Sequence, residues 1–253
     1  MISFNTESNT SLLQQLQNKQ ESILEKLSSG KRISSASDGA AAQQIIDRLT
    51  TQVEGNRQSI SNAFDGVSLT QVAEGGLAGI NKDVNRIREL SVQSGNGLLS
   101  DSDRRAIQSE VTQLQENISQ TIDHTEFAGQ SLLSSNSNID FQVGANAGQK
   151  IGVATQDVAT SLNDILNVDL STAQGAEDAL VIADEATEFV GSARADLGAS
   201  QNQFESAARN LTQTDVNISA ARSRIQDTDF AQAASENVTA VILSQSSIAV
   251  QDI

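Results

Sequence analysis

The chain of 253 residues has no cysteine, no proline, no tryptophan and no tyrosine. Without cysteine there is no disulfide framework, no thiolate metal site and no cysteine nucleophile. Without proline there is no position at which a helix is forbidden. Seven phenylalanines are the only aromatic residues, and they leave little bulk for a thick core. These absences favour helices over a thick globular core.

Basic residues are also scarce: 16 Lys and Arg stand against 32 Asp and Glu, for a net charge of −16. Phosphate binding requires a concentrated basic surface, so we expect no nucleic-acid partner. The sequence has no run of about 18 apolar residues, so we expect no membrane insertion. The first seven residues lack the basic and apolar regions of a cleaved secretory signal.

No motif points to catalysis, a cofactor or a metal. The single histidine, His124, cannot supply the His-rich spacing of a metal site and is interpreted as a polar residue at a helix end. Neither Gly-x-Ser-x-Gly nor His-Glu-x-x-His occurs. Any one carboxylate pair is uninformative among 32 acidic residues. We therefore expect no enzyme, no cofactor and no metal.

Apolar residues at helical spacing predict long helices. A first helix ends near Gly30, because glycine adopts the left-handed conformation that ends helices. A second pattern, from about Ala41 to Gln93, predicts a helix about 80 Å long. Ser37 or Asp38 could cap this helix, and the five glycines inside it suggest bending or a close approach of another helix.

A third helix follows the caps that Ser100 to Asp103 supply. Its apolar face consists of Ile107, Val111, Leu114, Ile118 and Ile122. Alternation then replaces helical spacing between residues 127 and 154 and predicts a β-hairpin with a turn at 144–148. Helical spacing returns after Ser161. The predicted fold is mainly α, an elongated antiparallel bundle or coiled coil with one small β-hairpin region.

Both ends of the chain carry thin apolar stripes that we expect to pair with each other. Such stripes, with no globular domain to cover them, favour disorder until a partner arrives, which is typical of a subunit that assembles. The stripes consist of Leu12, Leu16, Ile23 and Leu27 at the N-terminus and of Val238, Val241, Ile242 and Ile248 at the C-terminus.

Several segments resemble the signature sequences of bacterial flagellins, in the family's order and over nearly the whole chain. They are residues 27–33, 37–41, 62–68, 74–77 and 86–94 in the N-terminal half, the hairpin residues 141–148, and residues 197–202, 210–211 and 221–229 in the C-terminal half.

The resemblance implies a filament subunit that is secreted without a cleaved signal and polymerises with itself outside the cell. It implies the flagellar export machinery, a chaperone and a cap protein as partners. It assigns residues 1–40 and 227–253 to inner helices that are disordered in the monomer, and residues 41–226 to a rod domain without a large outer domain. In the family the last helix continues beyond the equivalent of Ile253, so we expect a shorter terminal stripe here.

The resemblance also implies contact with the innate receptor Toll-like receptor 5. The matching residues are Arg86, Leu90, Gln93 and Glu110. The alternative is that Leu90 simply continues the apolar stripe, while Arg86 and Glu110 form contacts between helices or subunits.

Two alternatives to a filament subunit remain open. A hook–filament junction protein shares the terminal signatures. An extracellular enzyme on a flagellin scaffold is the second, although the zinc-protease motif that some flagellins carry is absent.

Overall fold

The computed structural model describes residues 6–251, and within them the side chains of residue 11 and of residues 13–249. This part of the chain is mainly helical, with two short antiparallel strand pairs. The helices are α1 (Thr6–Ser29), α2 (Ala36–Ser94), α3 (Asp101–His124), α4 (Val158–Ser161), α5 (Asn163–Leu166), α6 (Ala173–Gln226) and α7 (Phe230–Gln251). The strands are β1 (Glu126–Phe127), β2 (Gln130–Ser131), β3 (Ser137–Gln142) and β4 (Lys150–Thr155). The predicted mainly α fold with a small hairpin region is confirmed.

The chain divides into two compact units. We name Met1–Gly55 with Gln213–Ile253 the terminal unit and Asn56–Thr212 the central unit. The domain boundaries that the resemblance implies, at residues 40 and 227, stay a prediction.

The core of the central unit contains the predicted face of α3. Ile107, Val111, Ile118 and Ile122 are buried, and Leu114 is half-buried against the same cluster. Ser100 caps this helix as predicted, because its hydroxyl accepts a hydrogen bond from the backbone N–H of Asp103 while the Asp103 carboxylate accepts one from the backbone N–H of Ser100. This reciprocal arrangement is a capping box.

Two of the glycines in α2 allow close packing in the central unit. A Cβ at Gly66 would stand 2.5 Å from ring atoms of Phe204, and one at Gly76 would stand 2.5 Å from Oγ1 of Thr125. Gly75 and Gly79 have no such neighbour within 4 Å. The prediction of close approach therefore holds at two of these four glycines.

The predicted hairpin is confirmed at β3 and β4, which pair from Ser137 opposite Thr155 to Gln142 opposite Lys150. A second, smaller pair, β1 with β2, was not predicted. Its turn contains Ala128 and Gly129, both with positive φ.

The helical structure predicted after Ser161 is confirmed in α6 and α7, but it does not begin directly after Ser161. Only the four-residue helix α5 forms there before α6 begins at Ala173. This segment folds against α3 instead. The side-chain amide of Gln115 donates to the carbonyls of Ile165 and Val168, both at 3.1 Å, and the Gln108 side-chain oxygen accepts from the backbone N–H of Leu170 at 2.6 Å.

Candidate assembly surface and interhelix contacts

In the terminal unit, the link between α1 and α2 is hydrogen-bonded to the link between α6 and α7. The backbone N–H of Arg32 donates to the carbonyl of Gln226 at 2.6 Å, and that of Thr228 donates to the carbonyl of Gly30 at 3.0 Å. Gly30 has φ +67°, as expected for the residue that ends α1. Residues 27–33 and 221–229, two of the segments that resemble flagellins, are therefore hydrogen-bonded to each other in the folded chain.

Asp38 stabilises the start of α2, although not as its N-cap. Helix α2 begins at Ala36 but is interrupted at Gly39, whose φ of 161° and ψ of 92° are not helical, so Asp38 lies in a first turn that is kinked from the rest of the helix. Its carboxylate accepts hydrogen bonds from the backbone N–H groups of Ser34 at 3.0 Å and Ser35 at 2.9 Å. These bonds stabilise the charged form and lower the pKa of Asp38 from its usual 3.8 to about 2.

Helices α1 and α7 pack against each other, as the prediction of paired termini required. Ile23 of the N-terminal stripe is buried, together with Ala233 and Ala240 of α7. The rest of the described N-terminal stripe, Leu16 and Leu27, is half-buried. The side chain of Leu12 lies outside the described residues.

The C-terminal stripe is less covered than we predicted. Val238 and Ile242 are each 57% exposed and Ile248 is 46% exposed, while Val241 is half-buried. Leu243 is also exposed on α7. The prediction that the two stripes bury each other was therefore wrong for α7, whose buried residues are Ala233 and Ala240. We name Val238, Ile242, Leu243 and Ile248 the α7 stripe.

Three ion pairs join helices within the central unit. Arg86 reaches Glu110 of α3 at 2.8 Å, Arg88 reaches Asp184 of α6 at 2.6 Å, and Arg194 of α6 reaches Glu74 at 2.7 Å. The hydrogen bond to Glu110 raises the pKa of Arg86 further above its usual value. Exposed pairs of this kind each contribute about 0–1 kcal/mol, so together they add little to the stability of the fold.

The four residues predicted to contact a receptor do not share one environment. Arg86 and Glu110 are exposed and bonded to each other, and Arg86 also binds Glu89 at 2.9 Å. Gln93 is exposed on α2. Leu90 is only 2% exposed and belongs to the hydrophobic core, so its side chain does not lie on the surface with the other three.

The contacts of Gln108 and Gln115 were missed by sequence reasoning. Glutamine is a common exposed residue on helices, and nothing in the pattern separates these two from the many others in the chain. Only the path of residues 165–170 beside α3 gives their amides carbonyl and N–H partners.

Among the described residues, no group of three or more His, Asp or Glu side chains is placed to hold a metal ion. In the same part of the chain, no helix combines the length and the hydropathy needed to cross a bilayer. His124 is the last residue of α3 and is exposed.

The chain combines long helices, paired chain ends and an exposed aliphatic stripe. This combination is typical of helical subunits that assemble into larger structures. The comparisons with known proteins identify the family within that class. The model of the bacterial flagellin N-terminal helical region matches residues 2–138, and that of the bacterial flagellin C-terminal helical region matches residues 180–251. A flagellin of Halalkalibacterium halodurans is 38% identical over 238 residues, which cover 91% of this chain and 86% of the relative. The chain belongs to the bacterial flagellin family.

Solved structures agree on the fold. The crystal structure of a Bacillus cereus flagellin superposes with a TM-score of 0.55 at 24% identity, over 64% of this chain and 94% of that one. A structure described as a flagellar hook-associated protein of Vibrio parahaemolyticus gives a TM-score of 0.64 at 14% identity, over 75% of this chain and all of the other.

The fold alone is thus shared by filament and hook-associated proteins, and the sequence separates them. The flagellin models and the flagellin relative together match most of the chain. This favours a structural subunit of the flagellar filament over the hook–filament junction alternative.

Proposed function

We propose that the α7 stripe is a surface through which copies of this chain pack together in a filament outside the cell. The observation that carries the proposal is the exposure of four large aliphatic side chains on a helix that already has its intramolecular partner. Burying a fully exposed Val, Leu or Ile side chain contributes about 1.5–3 kcal/mol, so a half-exposed stripe of four retains a substantial drive for association.

Assembly of an open filament requires contacts between different surfaces of successive copies, since contacts that close produce rings or dimers. A stripe on the outer side of the α1–α7 pair can contact a neighbour while α1 stays in place. We expect the α1–α7 pair to gain helical order when neighbouring copies cover it, because most helical stability comes from tertiary packing and much of the apolar surface of α7 is exposed in the single chain.

Seeded polymerisation tests this surface. Ile242→Asp places a charge in the α7 stripe, and Ile242→Met keeps an aliphatic side chain at the same position as the matched control. Electron microscopy of seeded protein should show filaments for the parent and for Ile242→Met, and few or none for Ile242→Asp. Normal filaments from Ile242→Asp would reject the α7 stripe as an assembly surface.

Membership of the flagellin family supports a proposal for the other partners of this chain. We propose that the flagellar export machinery and a chaperone handle the unassembled chain, that a cap protein acts during its assembly, and that the protein has no enzymatic role. Copurification of each partner with the unassembled chain is the corresponding measurement.

A second proposal concerns the exposed face of α2 and α3. We propose that Arg86, Gln93 and Glu110 contact Toll-like receptor 5, with Leu90 supporting their helix. The observation that favours it is that the first three are exposed on one unit. Arg86→Glu should abolish binding to the receptor ectodomain, whereas Arg209→Glu, also exposed but on α6, should not. Equal binding by the parent and Arg86→Glu would refute this role.

A further inference from the structure

One asparagine of the chain is followed directly by glycine, and this pair lies on an exposed turn. Asn96 and Gly97 stand between the end of α2 at Ser94 and the start of α3 at Asp101, and both are exposed. Every other asparagine of the chain is followed by a residue with a side chain. Asn96 therefore differs from the others, because no side chain shields the backbone nitrogen that follows it.

An asparagine side chain is thermolabile, and before a glycine it can lose its amide without an enzyme. The backbone nitrogen of the glycine attacks the side-chain carbon Cγ and forms a new N–C bond. The Cγ–Nδ2 bond breaks, and Nδ2 leaves as ammonia after taking up the proton that the attacking nitrogen loses. Water then opens the resulting succinimide ring at one of its two carbonyls, which gives aspartate or isoaspartate. Nothing is oxidised or reduced.

The N–H of Gly97 is available for this attack. Among the described residues, no oxygen accepts a hydrogen bond from it, whereas the N–H groups of Asn96, Leu98 and Leu99 around it are all bonded. A Cβ built on Gly97 would meet nothing within 4 Å, so the space beside this residue is open. The attacking nitrogen thus has no hydrogen bond within the described chain to give up before it reacts.

The turn also places a donor where charge develops during the attack. Negative charge forms on Oδ1 of Asn96 when the nitrogen adds to Cγ, and the backbone N–H of Leu98 already donates to Oδ1 at 3.0 Å. Enzymes stabilise such oxyanions with donors fixed about 2.7–3.1 Å away. The same bond is the one that asparagine side chains make in turns, to the backbone two residues on, and it holds the side chain back over the turn.

The main-chain carbonyl of Asn96 keeps the turn ordered. It accepts a hydrogen bond from the N–H of Leu99 at 3.1 Å and another from the buried guanidinium of Arg104 at 3.0 Å. Reacting groups that are held close to each other need less further ordering to reach the transition state. We therefore expect the folded turn not to protect Asn96 from the reaction.

We propose that Asn96 is a site of spontaneous deamidation, at which the folded turn supplies a hydrogen-bond donor to the transition state. Each modified copy gains one negative charge on a chain whose net charge is −16, close in sequence to the exposed Asp101 and Asp103. Isoaspartate also adds a methylene group to the main chain of the turn. The reaction needs only water, so this covalent mark accumulates with the age of each copy, whether or not the copies assemble.

Peptide mapping by mass spectrometry tests the proposal, since it separates asparagine, aspartate and isoaspartate at position 96. The unassembled parent chain is incubated in native buffer and, fully unfolded, in guanidinium chloride at the same mildly alkaline pH and temperature. We expect the native rate of deamidation to equal or exceed the unfolded rate. A lower native rate would overturn the proposal, because the turn would then protect Asn96.

Variants at position 98 isolate the donor. Leu98→Pro removes the N–H that donates to Oδ1 and should lower the native rate about tenfold, with the unfolded rate within about twofold of the parent. Leu98→Ala keeps this N–H and is the matched control, with the parent's rate in both states. The side chain of Leu98 is 93% exposed, so neither change removes a core contact. Equal native rates for the two variants would refute the role of the Leu98 N–H.

Gly97→Ala tests the attacking nitrogen by a change that the fold accepts, because the added Cβ meets nothing within 4 Å. Its methyl group shields the nitrogen, so deamidation should be slower than in the parent in both the native and the unfolded state. Deamidation of Gly97→Ala at the parent's rate would exclude attack by this nitrogen and overturn the proposal, even if Leu98→Pro failed to fold.

Discussion

The ring of Phe204 occupies the space beside Gly66 that a side chain would otherwise fill. The nearest ring atoms stand 2.5 Å from the position of a Cβ on Gly66, and Phe204 is fully buried. On its other side the ring meets Phe141 of β3 edge-on, with 5.3 Å between centroids. Gly66 thus allows α2, α6 and the hairpin to share one aromatic contact.

We predict that Gly66→Ala destabilises the central unit. Alanine is favoured over glycine in a helix by about 1 kcal/mol, but the added methyl group must displace a buried ring, and overpacking of this kind costs about 1–3 kcal/mol. Gly79→Ala is the control, because a Cβ there meets nothing within 4 Å. Urea unfolding should show a lower midpoint for Gly66→Ala and an equal or higher one for Gly79→Ala. The opposite order of midpoints would contradict the close packing of Phe204 against Gly66.

Arg104 provides a second prediction. Its side chain is buried between α2 and α3 and donates hydrogen bonds to the carbonyls of Ser94 and Asn96. Arg104→Met keeps most of the aliphatic volume but leaves these two carbonyls without this donor. Loss of a buried hydrogen-bond partner costs about 1–3 kcal/mol, whereas Arg105→Met, at the exposed neighbouring position, should change stability by less than about 0.5 kcal/mol. Urea unfolding of the two variants measures the difference, and equal stabilities would mean that Arg104 does not hold the turn.

Asp38 makes the start of α2 sensitive to acid. Its pKa is lowered in the folded protein, so its carboxylate stabilises the fold above the usual value of 3.8, and this contribution is lost as the pH falls toward about 2. We expect Asp38→Asn to be less stable than the parent at pH 7 and the two proteins to converge near pH 2. Thermal unfolding across this range measures the gap, and a gap that is independent of pH would argue against the hydrogen bonds to Ser34 and Ser35.

Assembly should depend on salt. The central unit contains 21 acidic and nine basic residues, and its net charge of −12 opposes the approach of copies. Salt screens this repulsion over a Debye length that falls to about 10 Å at 0.1 M. Seeded elongation, followed by light scattering, should accelerate as the salt concentration rises from about 0.01 to 0.15 M. Slower elongation over this range would indicate that attraction between opposite charges, and not apolar contact, dominates assembly.

Much of the fold could be predicted from the sequence because an apolar pattern that repeats over many residues identifies a helix or strand even where single residues depart from it. The face from Ile107 to Ile122 repeats over four turns, and the alternation around Phe141 covers a whole strand. The four-residue helices α4 and α5 have no such repetition, and residues 165–170 are bonded to the distant side chains of Gln108 and Gln115.

The candidate surface was predicted less completely, because spacing identifies a stripe but does not determine which side chains face the partner helix. Ile23 of α1 is buried as expected. Val238 and Ile242 of α7 are exposed, while the alanines at positions 233 and 240 of the same helix are buried. The apolar pocket that Leu77, Val153 and Leu197 line in the central unit was not predicted, since these residues come from segments that are distant in the sequence.

The most direct test of the account is the accessibility of the α7 stripe before and after assembly. In Ile242→Cys, the introduced thiol is the only one in the chain, and the parent side chain is 57% exposed. We predict rapid maleimide labelling in the monomer and at least tenfold slower labelling in the filament. Equal labelling rates in monomer and filament would contradict the claim that neighbouring copies cover this stripe.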